Sequence, residues 1–167
     1  MTLDKQAIAA AATRIEAYVH RTPIMTSTMI DDLSGARLQF KCENLQKAGA
    51  FKSRGATNAV FCLADAEASR GVATHSSGNH AAALSLAAKR RNIPAYVVMP
   101  RTAPAVKMRA VEEYGGQIFL CEPTLEAREE KVREVIAATG AVEIHPYNQP
   151  NIIAGQATAA KEIIEDA

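Results

Sequence analysis

Two cations, Lys52 and Arg54, open the stretch GAFKSRGATNAV at residues 49–60, which otherwise reads as the start of a helix. Ala50, Ala56, Ala59 and Val60 are good or acceptable helix formers, and Ser53 is a familiar N-terminal residue. The first turn of a helix carries the positive end of the macrodipole, where a lysine is disfavoured. An ammonium held there should lose its proton more easily, and a neutral lysine is a nucleophile. The plainer account is a solvated lysine on a tolerant helix start, and this stretch alone leaves both open.

The second candidate is THSSGNH, residues 74–80, between an expected strand and an alanine-rich helix. Ser76, Ser77, Gly78 and Asn79 fall on the turn, where unpaired backbone N–H groups and the helix dipole favour an anion. Gly78 lets the backbone approach a ligand closely. Simple capping by Ser and Asn is the competing account. Neither GxGxxG nor GxxxxGK[ST] occurs. His20, His75, His80 and His145 stand singly, so no metal ligands are assigned, and packing or capping accounts for His80. Glu126 to Glu134 interleave with Arg128, Lys131 and Arg133, the pattern of a solvated helix face.

These residues need elements to hold them. Asp4 to His20 carries a helical stripe of Ile8, Ala11, Ala12, Ile15 and Val19, stopped by Arg21-Thr22-Pro23. LQFKC, residues 38–42, alternates as a strand, and the Lys52 helix runs to about Ala66. Then a rhythm sets in: strand GVATHSS, helix NHAAALSLAAKRR, strand AYVVM, helix APAVKMRAVEEY, strand QIFLC, helix TLEAREEKVREVIAAT. The first of these helices ends in Lys89-Arg90-Arg91, which suits the negative end of the dipole. Thr124 is the expected N-cap of the last, and Gly140 lies just past its end. AVEIHP forms one more short strand, and IIAGQATAAKEIIEDA a final helix. Such alternation predicts an α/β fold: an open parallel twisted sheet with crossover helices, ligands lying beyond the carboxyl ends of its strands. The last helix reaches Ala167 with no glycine cap, basic last turn or closing strand, so the sequence reads as cut off.

The 167 residues are 48% hydrophobic and 22% charged, the mixture of a soluble globular protein. A net charge of +1 with 5% aromatics gives no footprint for nucleic acid. Three scattered cysteines suggest neither a disulfide frame nor a zinc site. No apolar run is long enough to span a bilayer, and a cytoplasmic location is the expectation.

KCENLQKAGAFKSRGA followed by THSSGNHAAAL resembles the fold type II pyridoxal-phosphate enzymes, those similar to the tryptophan synthase β-subunit. Within them the sequence is most similar to the serine racemase and serine/threonine dehydratase family, aided by RTPIMTS, IPAYVVMPRTAP and HPYNQPNIIAGQ. The resemblance implies that Lys52 forms the Schiff base with pyridoxal 5'-phosphate and moves the α-proton on one face. Phe51 then packs near the cofactor, and Asn79 and Asn148 lie beside it. Ser76, Ser77, Gly78 and Asn79 hold the substrate carboxylate, with His80 grouped among the substrate-binding residues. Ser77 is implied as acid/base on the opposite face. The implied reaction is α-proton abstraction, then β-elimination of a hydroxy amino acid to a 2-oxo acid and ammonia, or racemisation.

By the same resemblance residues 1–70 begin a large cofactor domain, 71–148 form a small α/β domain, and 149–167 return into the large one. The glycine-rich phosphate loop of the family is not in this chain, nor are the ligands of its divalent metal. Ala82 stands where related racemases carry a glutamine that touches a nucleotide activator, which argues against ATP regulation. The implied partners are a small-molecule amino acid and, in full-length form, a second copy as homodimer. The rival expectation is a catalytically inert, truncated α/β remnant that binds an amino-acid carboxylate or a partner chain.

Overall fold

The computed structural model describes residues 3–166; Met1, Thr2 and Ala167 of the expected terminal segments lie outside the described residues. Asp4 caps helix α1 (Lys5–Ile15), its carboxylate accepting the Ala7 N–H at 2.8 Å. Ala11 and Ile15 of the expected stripe are buried, but a 3-10 turn at Glu16–Tyr18 replaces the helix before His20. Strand β1 (Ile24–Met25), helix α2 (Thr28–Ser34) and strand β2 (Phe40–Lys41) follow, β1 pairing antiparallel with β2. The expected strand Leu38–Cys42 thus shrinks to β2. Neither β1 nor α2 shows in the hydrophobic pattern, because two residues cannot alternate and seven cannot complete a stripe.

Helix α3 (Lys52–Cys62) ends before Ala66. Leu63 turns extended, and Arg91 donates to the carbonyls of Val60 and Leu63 and to Asp65, which opens helix α4 (Asp65–Ala68). From here the expected rhythm appears. Strand β3 (Val72–His75) leads to α5 (Asn79–Arg91), β4 (Ala95–Pro100) to α6 (Ala105–Glu113), and β5 (Gln117–Cys121) to α7 (Leu125–Thr139). Thr124 accepts the Ala127 N–H at 3.1 Å and Gly140, with φ of 71°, closes α7. Strand β6 (Val142–Glu143) and helix α8 (Pro150–Asp166) complete the described chain. The basic run at the end of α5 does more than answer a dipole. Lys89 donates to the Glu113 carbonyl at 3.1 Å and Arg90 to that of Tyr18, so with Arg91 the three tie α5 to other elements.

The four strands order β5-β4-β3-β6, every pair parallel. Successive side chains of β3 point to opposite faces. Val72 joins Val60, Leu84, Ala87 and Ile144 on the α3 and α5 side, while Ala73 joins Val132 and Val135 of α7 on the other. Helix α3 is buried from Ser53 to Val60 and packs on both α5 and α8. The second contact is backbone on backbone. A Cβ on Gly155 would stand 2.6 Å from Gly55 Cα, and one on Gly55 2.7 Å from the Ile152 carbonyl oxygen, so only glycine fits at this crossing.

Candidate active site

Strand β3 sends its chain through α5 to β4 on one side, and β6 arrives on its other side. Strand order therefore reverses at β3, and the loops leaving β3 and β6 flank a crevice at their carboxyl ends. The start of α3 reaches the same place.

A 3-10 turn at Lys47–Gly49 precedes α3, and the Ser53 hydroxyl donates to the Lys47 carbonyl, so Ser53 braces this turn rather than capping the helix. Arg54 is fully buried. Its guanidinium donates to Glu43 at 2.8 and 2.7 Å, to Glu162 at 2.6 and 2.8 Å, and to Thr158 Oγ1 and the His20 carbonyl at 3.2 Å each. Lys41 adds a 2.6 Å contact to Glu162. The first turn of α3 is thereby fastened to the N-terminal segment and to α8. Residues two apart on a helix do not share a face, and Lys52 points elsewhere: its Nζ donates to the Pro146 carbonyl at 2.7 Å, in the loop after β6, and lies 5.2 Å from the Phe51 ring centre. Burial holds the Lys52 ammonium below its ordinary pKa. The shift expected from the sequence has the right direction; its cause is desolvation rather than the helix dipole.

The turn after β3 is tied to β4 by its backbone and closed by the Ser76 hydroxyl. Ser76 N–H donates to the Val98 carbonyl at 3.0 Å, and Ser76 Oγ accepts the Gly78 N–H at 3.4 Å. The N-cap of α5 is Gly78, with no side-chain cap, while Asn79 Oδ1 accepts from Lys107 Nζ at 2.6 Å. Capping by Ser or Asn is therefore not what these residues do. The first N–H groups of α5 remain free for an external acceptor, the space where a Gly78 Cβ would sit is open, and the half-buried Ser77 hydroxyl makes no hydrogen bond among the described residues.

The ring of His80, one of the residues expected to bind substrate, turns into the protein, so toward a ligand this residue offers its backbone N–H rather than its imidazole. Its ring is buried, with Nε2 3.2 Å from the Ile144 carbonyl, which fastens α5 to the end of β6. Burial is the main cause that pushes its pKa from 6.5 down to about 4, and the charge of Lys52 adds to it. The unfolded chain thus protonates His80 near 6.5 and the folded chain only near 4, so the unfolded state binds more protons in that window. Stability should fall as pH drops through it, by about 3 kcal/mol in all. His80→Gln is expected to remove this part of the pH dependence, which urea unfolding at neutral pH and near pH 4 would reveal.

Asn148 and Tyr147 are exposed on the loop that carries Pro146. Phe51 is 43% exposed beside Lys52. Lys52, Phe51 and the Pro146–Asn148 loop are therefore brought together directly, and the 76–79 turn is joined to them through His80 and Ile144. Sequence reasoning missed the partners of Arg54, the Pro146 acceptor and the Lys107–Asn79 contact. For Arg54 a signal existed: it is flanked by Ser53, Gly55 and Ala56, the small residues of a helix buried all round.

This donor set fits pyridoxal phosphate. It offers an amine whose pKa burial lowers, an exposed aromatic face beside it and an uncapped helix start for a carboxylate. Among the described residues no three His, Cys, Asp or Glu side chains gather as metal ligands would. No helix among the described residues is long and apolar enough to cross a membrane.

Comparison with known proteins agrees with the geometry. Residues 15–167 match the family described as Pyridoxal-phosphate dependent enzyme. A β-hydroxyaspartate dehydratase of Paracoccus denitrificans is 59% identical over 156 residues, which cover 93% of this chain and 50% of that protein. A serine racemase of Oryza sativa subsp. indica is 53% identical over 163 residues, 98% of this chain and 48% of that one. The solved structure of maize serine racemase aligns with a TM-score of 0.97 at 52% identity, over 100% of this chain and 51% of its own. The fold is that of the fold type II pyridoxal-phosphate enzymes. The chain belongs to the pyridoxal-phosphate dependent enzyme family, and spans about half the length of the curated relatives it matches.

Proposed function

We propose that this chain supplies the lysine-bearing part of a dehydratase or racemase acting on small hydroxy amino acids, among them serine, threonine and 3-hydroxyaspartate. The observation that carries the reading is the half-buried Lys52 amine, which donates to the Pro146 carbonyl and whose charge is felt by His80, in the first turn of the helix that the uncapped 76–79 turn opens. The relatives' activities, serine racemase and β-hydroxyaspartate dehydratase, support the substrate class. The complete reaction is proposed for the protein at the relatives' full length, as a homodimer in the cytoplasm.

Bound here, the cofactor would supply the electron sink that makes the substrate α-proton removable. Lys52 Nζ would hold the cofactor and take that proton on one face, which requires an amine deprotonated near neutral pH; burial favours that form. The Pro146 carbonyl accepts one Nζ hydrogen and so directs the lone pair. The free N–H groups at the start of α5, with Ser76, Gly78 and Asn79, would bind the substrate carboxylate. Phe51 would shield the cofactor ring from water, Asn79 and Asn148 would orient it, and Ser77 Oγ would exchange a proton on the opposite face. A dehydrated product would take up water and lose ammonia to become the 2-oxo acid.

The test is reductive trapping. The chain is incubated with pyridoxal 5'-phosphate, treated with borohydride and mapped by mass spectrometry. The phosphopyridoxyl group is expected on Lys52 in preference to the exposed lysines. Even labelling across the surface lysines would refute the assignment.

A further inference from the structure

His145 has no role in the reading above, yet its ring holds the loop that faces Lys52. Nδ1 lies 3.2 Å from the Tyr147 backbone nitrogen and 2.9 Å from that of Asn148. Two N–H donors converging on one ring nitrogen make that nitrogen the unprotonated acceptor, with the ring hydrogen on Nε2. The ring sits between His75, edge-on at 5.9 Å, and Tyr147 at 4.5 Å. Its backbone is fastened too: His145 N–H donates to Gln149 Oε1 at 3.1 Å, and Gln149 Nε2 donates to the Glu143 carbonyl at 3.0 Å.

The Tyr147 N–H and the Pro146 carbonyl belong to one peptide unit. In a planar trans peptide these groups point in opposite directions, so holding the first aims the second. A continuous chain results: Lys52 Nζ donates to the Pro146 carbonyl at 2.7 Å, and the N–H of that same peptide donates to His145 Nδ1. Hydrogen bonds linked through a peptide polarise one another. The geometry points to His145 as a positioning residue for Lys52, acting through the 146–147 peptide plane. Its importance for catalysis rests on the proposed role of Lys52; its hold on the peptide does not.

The two parts separate experimentally. His145→Ala removes the acceptor, whereas His145→Asn places Oδ1 where Nδ1 stands. Amide hydrogen exchange at Tyr147 and Asn148 is followed by NMR in the full chain and both variants, with circular dichroism confirming that each is folded. Borohydride trapping at Lys52 is measured alongside. Losing hydrogen bonds of ordinary strength should speed both amides about fivefold or more in His145→Ala. The Lys52 adduct should fall by a similar factor, and His145→Asn should restore both. Unchanged amides in His145→Ala, or an asparagine variant that behaves like alanine, overturn the inference. Faster amides with an undiminished adduct overturn it as well, since the peptide would then not position Lys52. If the unsubstituted chain gives no adduct at Lys52, the reading of Lys52 fails instead, and the amides still decide whether His145 holds the peptide.

Discussion

Replacing Arg54 with methionine is expected to destabilise the fold by about 3–5 kcal/mol, the range for removing one partner of a buried ion pair. Arg54 is wholly buried between Glu43 and Glu162, whose side chains are 14% and 12% exposed. Methionine keeps much of the apolar stem, so the lost packing is small, but it leaves two carboxylates facing a space without their cation. Lys41 remains on Glu162 and Thr22 on Glu43, which limits the damage but does not cancel it. Converting both glutamates to glutamine in the same chain removes the stranded charge and should recover part of the loss. Acid adds a second signature. Burial raises the Glu162 pKa, yet hydrogen bonds from Arg54 and Lys41 outweigh it and hold the carboxyl below its ordinary value. A depressed carboxylate adds stability above its unfolded pKa, and that contribution disappears as pH falls through the folded one. The Arg54→Met chain should therefore lose less on acidification than the unsubstituted chain. Urea unfolding at pH 7 and pH 3.5 measures both effects. A loss below about 1 kcal/mol at pH 7 would mean the network is no stronger than a surface pair.

The same residue shows where sequence reasoning reaches its limit. Thr124, Gly140 and the alternation from β3 to α7 are local signals, set by neighbours a few residues away, and they are legible. Arg54 meets Glu43 across 11 residues and Glu162 across 108, and nothing local announces either partner. Lys52 was legible as a residue type at a telling position. The desolvation that lowers its pKa comes from segments that converge only in the fold, such as the loop 94 residues further on. His145 is a different case: its partners lie two and three residues away, yet a ring nitrogen accepting two backbone N–H groups depends on a rotamer that no residue pattern encodes. The turn at residues 76–79 was legible as anion-ready, whereas its freedom from side-chain caps was not, since Asn79 is drawn away by Lys107 of α6.

Ser77→Ala is expected to separate two activities by about 10²–10⁴-fold, the contribution of a positioned proton donor. The measurement uses a chimera that joins this chain to the remaining half of a relative's length. Lys52 opens α3, and the serine turn lies between β3 and α5. Ser76 Oγ is engaged by the Gly78 N–H, so of the two serines it is Ser77 whose hydroxyl remains uncommitted. If that hydroxyl exchanges a proton on the face opposite Lys52, alanine removes that donor and leaves the Lys52 side intact. Abstraction from an L-substrate by Lys52 then continues, and elimination to the 2-oxo acid should persist within about tenfold. Delivery of a proton to form the D-enantiomer, and elimination starting from D-serine, should both collapse. Chiral chromatography of serine beside a pyruvate assay follows the two activities in one sample. Ser76→Ala is the control: it breaks the bond that folds the turn and should weaken both activities together, through carboxylate binding and hence KM. Equal losses in Ser77→Ala would assign Ser77 to shaping the carboxylate turn, and unchanged activities would leave its hydroxyl without a part in the chemistry.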